Sequence, residues 1–143
     1  MVTEFSIAAA IVCVCLLFHV AGMLWMADRL LDRREQTTSK RHFSTLIIAV
    51  FAGIILLHVV EASLWAVFYY SRNLFSDFET SLYFSLVSFA TIGYGDVLLP
   101  QKWRLVGALE GISGILLCGI STAFIFAIVN AMFQIRIQQS SRM

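Results

Sequence analysis

The fold is decided around one stretch, Thr91-Ile92-Gly93-Tyr94-Gly95-Asp96, which reads T-I-G-Y-G-D and lies between two long apolar segments. Gly93 and Gly95 can adopt backbone angles that residues with a Cβ avoid, so neighbouring carbonyl groups of an extended chain can face the same side. A cation that has lost its water needs a cage of oxygen atoms, and a row of backbone carbonyls can supply one. The glycine spacing therefore allows a loop that presents its main-chain oxygens to one side.

The composition predicts that this loop belongs to a membrane protein. The chain has 143 residues, of which 59% are hydrophobic and 13% are charged, and its mean hydropathy is +0.84. Soluble domains average about 25% charged residues. A chain of this length leaves no room for a separate soluble domain of ordinary size. The net charge of +1 gives no indication of a nucleic-acid partner.

Three apolar segments, residues 5–27, 43–70 and 103–133, are long enough to cross a membrane. A bilayer core of about 30 Å takes roughly 20 helical residues. The first segment has no positive charge at its start and no small-residue cleavage pattern after it, so we expect a retained span rather than a signal peptide. Its role stays open: it could pack outside the pore unit, lengthen an assembly interface or set the topology.

A shorter apolar stretch, residues 78–90, precedes the glycine-containing loop and is too short to span. Such a segment is tolerated at membrane depth only when it is buried in protein or lines water, so we expect a re-entrant half-helix. Ser76 and Glu79 have capping-box spacing, with Ser76 as the N-cap and a helix start at about Asp77. The carbonyl end near Ala90 would favour a cation beyond it.

From Ser81 to Asp96 the sequence reads S-L-Y-F-S-L-V-S-F-A-T-I-G-Y-G-D, which resembles the pore helix and selectivity filter of bacterial potassium channels. The resemblance covers about residues 43–133. It implies an all-α membrane protein with three transmembrane helices and a pore helix and filter between the second and third. One pore loop per chain implies a homotetramer, because four loops are needed to surround one ion.

The resemblance divides the chain into three parts. Residues 1–42 would form an N-terminal transmembrane helix with a cytoplasmic linker, residues 43–134 the pore domain, and residues 135–143 a short cytoplasmic tail. Within the linker, the mixed-charge segment 28–42 indicates a solvated connection at the lipid headgroups, and a regulatory lipid site there is the weaker alternative.

The resemblance also implies roles for individual residues. K⁺ would bind to filter oxygens of Thr91, Ile92, Gly93 and Tyr94, with Gly95 completing the filter. The filter would be supported by Asp96, Tyr83, Phe84, Val87 and Glu110. Two residues depart from the family pattern. Phe84 cannot donate a hydrogen bond to the filter tyrosine as a tryptophan could, and Val87 stands where some bacterial channels pair a glutamate with the aspartate. Asp96 would therefore lack that partner.

By the same resemblance, one face of the third span would line the pore, namely Ile115, Cys118, Thr122, Phe126 and Asn130. Their spacing of three or four residues is that of a helix face. Phe126 either forms a hydrophobic gate or packs between helices. Gly114 and Gly119 would act as a hinge or allow close packing of helices.

Ionisable residues inside the spans are His19, His58, Glu61 and Glu110. Such groups usually face protein or water. His58 and Glu61 are spaced i,i+3 and could pair. We expect Glu110 to brace the filter, with a pH-sensitive element or exposure to the pore as alternatives, and His19 to be a packed residue rather than a metal ligand. All three cysteines (Cys13, Cys15 and Cys118) are expected to be packing residues.

Basic residues predict the orientation. They concentrate in the first loop and after the third span, at Arg29, Arg33, Arg34, Lys40, Arg41, Arg136 and Arg142. Fewer flank the other side, namely Arg72, Lys102 and Arg104. The first loop and the C-terminus would then be cytoplasmic and the N-terminus outside, by analogy in a bacterial inner membrane.

The function that the sequence favours is a potassium-selective channel. Its partners would be three further copies, membrane lipids and an unidentified gating partner, with K⁺ as the permeant ion and no cofactor. A non-conducting regulatory subunit on a channel scaffold and a weakly selective cation channel are the alternatives. No arrangement of nucleophile and base, no phosphate-binding loop and no cluster of metal ligands in the sequence indicates an enzyme.

Overall fold

The computed structural model describes residues 2–32 and 40–140, with side chains described for residues 3–30, 44–134 and 137. The described residues form four α-helices and no strand. The helices are α1 (Val2–Asp32), α2 (Lys40–Ser71), α3 (Phe78–Phe89) and α4 (Arg104–Ser140), and a 3-10 turn (Gln101–Trp103) precedes α4. The prediction of an all-α membrane protein is confirmed.

Three of these helices contain segments that are long and apolar enough to span a membrane: Thr3–Leu30, Ser44–Ser71 and Gln101–Gln134. The first and third segments extend the predicted spans at both ends, and the second extends its predicted span at the C-terminal end only. The predicted tail continues α4 as far as Ser140. Residues 33–39 of the predicted linker and residues 141–143 of the tail lie outside the described residues.

The first helix packs along both α2 and α4 of its own chain. Two glycines bring α1 and α2 close together, because a Cβ on Gly22 would lie 2.6 Å from Leu57 Cδ2 and one on Gly53 would lie 2.7 Å from Met26 Sδ. Met23, Met26, Val50 and Ile54 form a buried cluster at this contact. Within one chain, α1 is therefore part of the helix bundle, and its three possible roles stay open.

Aromatic side chains fill the space between α2, α3 and α4. Trp65 and Tyr69 are fully buried, with ring centroids 6.1 Å apart. The Tyr69 ring also meets Phe84 of α3 edge to face at 5.3 Å. Aromatic pairs in this geometry add stabilisation to the burial of their area. This cluster positions the short helix, and therefore the loop that follows it, against the two long helices.

The outer faces of the bundle are apolar and uncovered by the chain itself. Only 22% of the residues in the most apolar part of each span are buried. Apolar faces of this extent require lipid or other chains around them.

The cysteines follow the same division between core and outer faces. Cys15 is buried as predicted, whereas Cys13 and Cys118 are exposed, so the packing prediction is wrong for those two within one chain. Cys118 is nevertheless in contact with a core group, because its Sγ lies 3.9 Å from His58 Nε2.

Candidate functional site

The short helix α3 begins with an aspartate cap. Asp77, not Ser76, is the N-cap, and its carboxylate accepts hydrogen bonds from the Thr80 amide at 2.7 Å and the Thr80 hydroxyl at 2.9 Å. Ser76 instead donates to Asp77 at 2.6 Å. These hydrogen bonds, the one from Ser76 foremost, lower the pKa of Asp77. The predicted capping box is corrected because a carboxylate can accept from several donors of the first turn at once.

The end of α3 holds the start of the glycine-containing loop. Val87 O accepts hydrogen bonds from the amides of Ile92 at 2.9 Å and Gly93 at 3.3 Å, and Ser88 O accepts from Thr91 at 2.9 Å. The loop amides therefore satisfy carbonyl groups that a helix end leaves unpaired. The filter-like segment is tied to the helix by its own backbone, and these carbonyls are directed at the loop.

The backbone of the loop alternates in handedness. Thr91, Gly93 and Gly95 have φ of 58°, 58° and 78°, and no positive φ occurs at the residues between them. Alternation of this kind turns successive peptide groups toward one side of the chain. The glycines carry it without strain, but at Thr91 the left-handed conformation costs about 1 kcal/mol. The positive φ of Thr91 could not be predicted from the sequence, because this conformation is imposed by the residues around it and not by threonine itself.

The loop is uncovered within a single chain. All six residues of the T-I-G-Y-G-D stretch are exposed, and the Tyr94 side chain is 69% exposed. Behind it, between the loop and α3, lies a small cavity lined by Tyr83, Phe84, Val87, Ser88, Gly93, Gly95, Asp96, Val97 and Leu98. Of the residues expected to support the loop, Tyr83, Phe84, Val87 and Asp96 are therefore brought together here.

Asp96 has a partner that the sequence did not reveal. The Tyr83 hydroxyl donates to Asp96 Oδ2 at 2.6 Å. Tyr83 lies one turn before Val87 on the same face of α3, so a tyrosine contacts the carboxylate that Val87 cannot reach by hydrogen bonding. This hydrogen bond lowers the pKa of Asp96 and raises that of Tyr83. The family resemblance places Tyr83 beside the filter, but it does not predict this hydrogen bond to Asp96.

Glu110 is fully buried behind α3. The Tyr69 hydroxyl donates to its Oε2 at 2.7 Å, and its Oε1 is hydrogen-bonded to Ser85 of α3. The Ser85 hydroxyl also donates to the Ala62 carbonyl at 2.8 Å. Because one hydroxyl carries one hydrogen, the count balances when Glu110 is protonated and donates to Ser85. Glu110 is thus hydrogen-bonded to the short helix through Ser85, and its role as a brace for the filter stays a prediction.

A second buried carboxylate, Glu61, lies where α1, α2 and α4 meet. Its oxygens are bonded to His19 Nδ1 at 2.8 Å and His58 Nδ1 at 3.0 Å. The other ring nitrogens, Nε2 of both histidines, face Ser121 Oγ at 2.9 and 3.1 Å. The predicted pairing of His58 with Glu61 is confirmed. Sequence spacing could not reveal the participation of His19 and Ser121, which are 102 positions apart.

The face of α4 expected to line a pore is uncovered within the chain. Ile115, Cys118, Thr122, Phe126 and Asn130 are all exposed, and Phe126 is 71% exposed. The pore-lining and gating roles of these residues stay predictions.

The two glycines of α4 differ in their surroundings. A Cβ on Gly114 would lie 2.0 Å from the Phe89 carbonyl oxygen, whereas one on Gly119 would meet nothing within 4 Å. Gly114 therefore allows the end of α3 to approach α4 closely. The hinge role stays a prediction for both.

The comparisons with known proteins agree with this arrangement. A family model described as "ion channel" matches residues 55–131, which include most of α2, all of α3, the loop and most of α4. No curated protein and no solved structure matches the chain.

Proposed function

The chain belongs to the ion channel family, and we propose that it is the subunit of a potassium-selective channel in which four copies surround one pore. In this proposal α3 is a re-entrant pore helix. The segment from Thr91 to Gly95 is the selectivity filter, which binds K⁺ through main-chain oxygens.

The observation that carries the proposal is the alternating backbone of the loop. Positive φ recurs at every second residue, at Thr91, Gly93 and Gly95. This conformation presents consecutive carbonyls to one side, which is what a dehydrated cation requires. Hydrogen bonds from the Ile92 and Gly93 amides to Val87 hold the loop in place, so the oxygens are positioned before an ion enters.

The uncovered surfaces support assembly into a tetramer. One chain supplies a single row of carbonyls, and a row on one side of an ion does not enclose it. The loop and the Tyr94 ring are exposed, as is the face of α4 that carries Ile115 and Phe126. In a four-fold assembly these surfaces would meet their copies or a central water-filled cavity.

The proposal includes an orientation and a location. The loops that carry most arginines and lysines face the cytoplasm, and the N-terminus and the mouth of the filter face outward. By analogy with the bacterial channels that the sequence resembles, the membrane is the bacterial inner membrane. An enzymatic role has no place in this proposal, and K⁺ is the permeant ion.

The test is ion flux through the purified protein in liposomes. A K⁺ gradient is expected to drive flux that Ba²⁺ blocks and that Na⁺ does not replace. Gly93→Ala is expected to abolish the flux, because alanine disfavours a φ of 58°. Gly119→Ala is the matched control, since its Cβ meets nothing within 4 Å, and it should keep the preference for K⁺ over Na⁺.

Two outcomes would redirect the proposal. Equal flux of K⁺ and Na⁺ would indicate a weakly selective cation channel. No flux of either ion from a confirmed tetramer, across pH and membrane tension, would favour a non-conducting regulatory subunit. Unchanged K⁺ flux in a tetrameric Gly93→Ala variant would refute the assignment of the filter.

A further inference from the structure

The polar cluster at the junction of α1, α2 and α4 holds a buried carboxylate whose charge is not balanced when both neighbouring imidazoles are neutral. We define the junction cluster as His19, His58, Glu61, Cys118 and Ser121. His19 and Glu61 are fully buried, and the side chain of His58 is 19% exposed. The two imidazole rings lie side by side, with centroids 5.1 Å apart and planes 28° apart.

One carboxylate orients both imidazoles. With Glu61 ionised, its oxygens can only accept, so the Nδ1 atoms at 2.8 and 3.0 Å carry hydrogens and donate. The lone pairs of both rings are then on Nε2. A carboxylate that accepts from one imidazole nitrogen while the other nitrogen binds a metal is a recurrent arrangement in metal sites.

Both free nitrogens face the same hydroxyl. His19 Nε2 and His58 Nε2 lie 2.9 and 3.1 Å from Ser121 Oγ. A hydroxyl has one hydrogen, so it can satisfy one of the two lone pairs. The other lone pair has only the Cys118 thiol, a weak donor that lies 3.9 Å from His58 Nε2. When both imidazoles are neutral, the ionised carboxylate has no counter-charge in the cluster, and a cation would offset that charge.

A thiol lies beside this deficit. Cys118 Sγ is 3.9 Å from His58 Nε2, close to the distance of about 3.6 Å between sulfur and nitrogen ligands of a tetrahedral zinc ion. His19, His58 and Glu61 can also offer ligand atoms that all lie within 4.8 Å of one another. Two imidazoles with a thiolate form a ligand set that suits zinc.

The charges of the cluster also fit a divalent ion. A 2+ ion would be neutralised by the Glu61 carboxylate and a Cys118 thiolate, and the thiol proton would be released on binding. Neutrality matters in a span, where an uncompensated charge is costly. Cys118 is exposed, so the cluster reaches the surface of α4 and an ion has a path to it.

We propose that the junction cluster binds one divalent transition-metal ion of the zinc class per chain, through His19 Nε2, His58 Nε2 and Cys118 Sγ. Glu61 orients the two imidazoles, and Ser121 supplies a neutral oxygen beside them. The ion would connect α1 to α2 and α4. The ligands belong to one chain, so the proposal does not depend on conduction.

The experiment titrates Co²⁺ into the purified, metal-stripped full chain in detergent and records its absorption spectrum. Four-coordinate cobalt with a thiolate ligand is expected at one ion per chain, giving intense visible bands and a near-ultraviolet sulfur-to-metal band that Zn²⁺ abolishes by displacement. Cys118→Ser should remove the sulfur band. Cys13→Ser is the matched control, because Cys13 is exposed on the same bundle but outside the cluster, and it should leave the spectrum unchanged.

Glu61→Gln separates metal binding from folding. A glutamine amide accepts from one imidazole and donates to the other, which then carries its hydrogen on Nε2 and donates to Ser121. The network is complete without a cation, so the variant should fold. One Nε2 is no longer free, so Co²⁺ affinity should fall by about 10- to 100-fold.

The proposal would be overturned if the folded chain bound no cobalt, since a proton would then supply the missing cation. It would also be overturned if Cys118→Ser kept the sulfur-to-metal band, or if Glu61→Gln bound Co²⁺ as tightly as the unaltered chain. Neither result bears on ion flux, which tests the proposed function separately.

Discussion

Two buried carboxylates in the same bundle have opposite surroundings. Glu110, behind the filter-like loop, is bonded to the hydroxyls of Tyr69 and Ser85. Glu61, on α2, is bonded to two imidazoles, and Ser121 of the same cluster lies about 16 Å along α4 from Glu110. Hydroxyl partners are satisfied by a neutral carboxyl group, whereas imidazole donors favour an ionised one.

The difference teaches what each site can do. The Glu110 site is closed by its own hydrogen bonds and needs nothing further, so it is suited to holding α3 rigidly against α2 and α4. The Glu61 site carries an unbalanced charge when both imidazoles are neutral, and it reaches the protein surface through Cys118. It is therefore the site that we propose to bind a cation.

The largest effect is expected at the glycine between the two sites. Gly114→Ala places a Cβ 2.0 Å from the Phe89 carbonyl oxygen, and a backbone clash can be relieved only by moving α3 away from α4. The free energy of unfolding should fall by about 3 kcal/mol or more. Thermal denaturation in detergent would show this as a lower midpoint, with Gly119→Ala unchanged. Equal midpoints for the two variants would contradict the close approach.

An effect of comparable size distinguishes the two carboxylates. Glu61→Ala and Glu110→Ala delete the same atoms, so the two cavities that they leave should cost comparable free energy. The difference between their free energies of unfolding therefore reports the polar groups that lose a partner. Glu61→Ala leaves two buried imidazole donors unpaired and should cost about 3–5 kcal/mol. Glu110→Ala leaves mainly the Tyr69 hydroxyl unpaired, because the Ser85 hydroxyl keeps its hydrogen bond to the Ala62 carbonyl. The loss of the bond from Tyr69 should cost about 1–3 kcal/mol beyond the cavity.

The order of the two midpoints is the decisive observation in that experiment. A Glu110→Ala midpoint below that of Glu61→Ala would mean that the hydroxyl-lined site carries more of the stability. The interpretation of the junction as the more costly one to break would then be wrong.

A smaller effect is expected when Glu110 is replaced conservatively. In Glu110→Gln, the side-chain amide would donate to Ser85 and its carbonyl would accept from Tyr69, reproducing the bonds of a neutral carboxyl group. This substitution should therefore change the free energy of unfolding by less than about 1 kcal/mol. Glu110→Asp, which keeps the acid but shortens its reach, is the control and should destabilise more. The reverse order would show that Glu110 is ionised.

The smallest effect concerns the exposed pair at the loop. Tyr83→Phe removes the hydrogen bond to Asp96, so the lowered pKa of Asp96 should return toward its ordinary value. A lowered carboxyl pKa stabilises the fold above the unfolded-state pKa of Asp96, and this contribution disappears as pH falls through the folded-state value. The pKa of Tyr83 is raised, so the stabilisation that its neutral hydroxyl contributes disappears as pH rises through the folded-state pKa of Tyr83.

The stability difference between the unaltered chain and Tyr83→Phe should therefore be constant at neutral pH and vanish in acid. Denaturation midpoints across acidic and neutral pH would measure it. Val97→Ala, beside the same cavity, is the control and should show a difference that does not depend on pH. A Tyr83→Phe difference that persists in acid would assign the stabilisation to packing of the ring.

Individual residues show which features of the molecule could be predicted from the sequence. The three spans, the short helix and the loop were predicted because each depends on a local run of apolar residues or on adjacent glycines. The cap was misassigned to Ser76 because neighbouring residues Ser76 and Asp77 are both good caps, and only the hydrogen bonds to Thr80 distinguish them. The pairing of His58 with Glu61 was predictable because both lie on one turn of α2.

The sequence by itself determined the class of this protein, a membrane helix bundle with a glycine-containing loop, because hydropathy and glycine spacing act over short distances along the chain. The tertiary structure alone decided which polar groups meet. Tyr69 contacts Glu110 across 41 positions and His19 contacts Glu61 across 42. Such contacts depend on how each helix is rotated about its axis, and that rotation is fixed by packing of whole faces, for example at Gly22, Gly53 and Gly114.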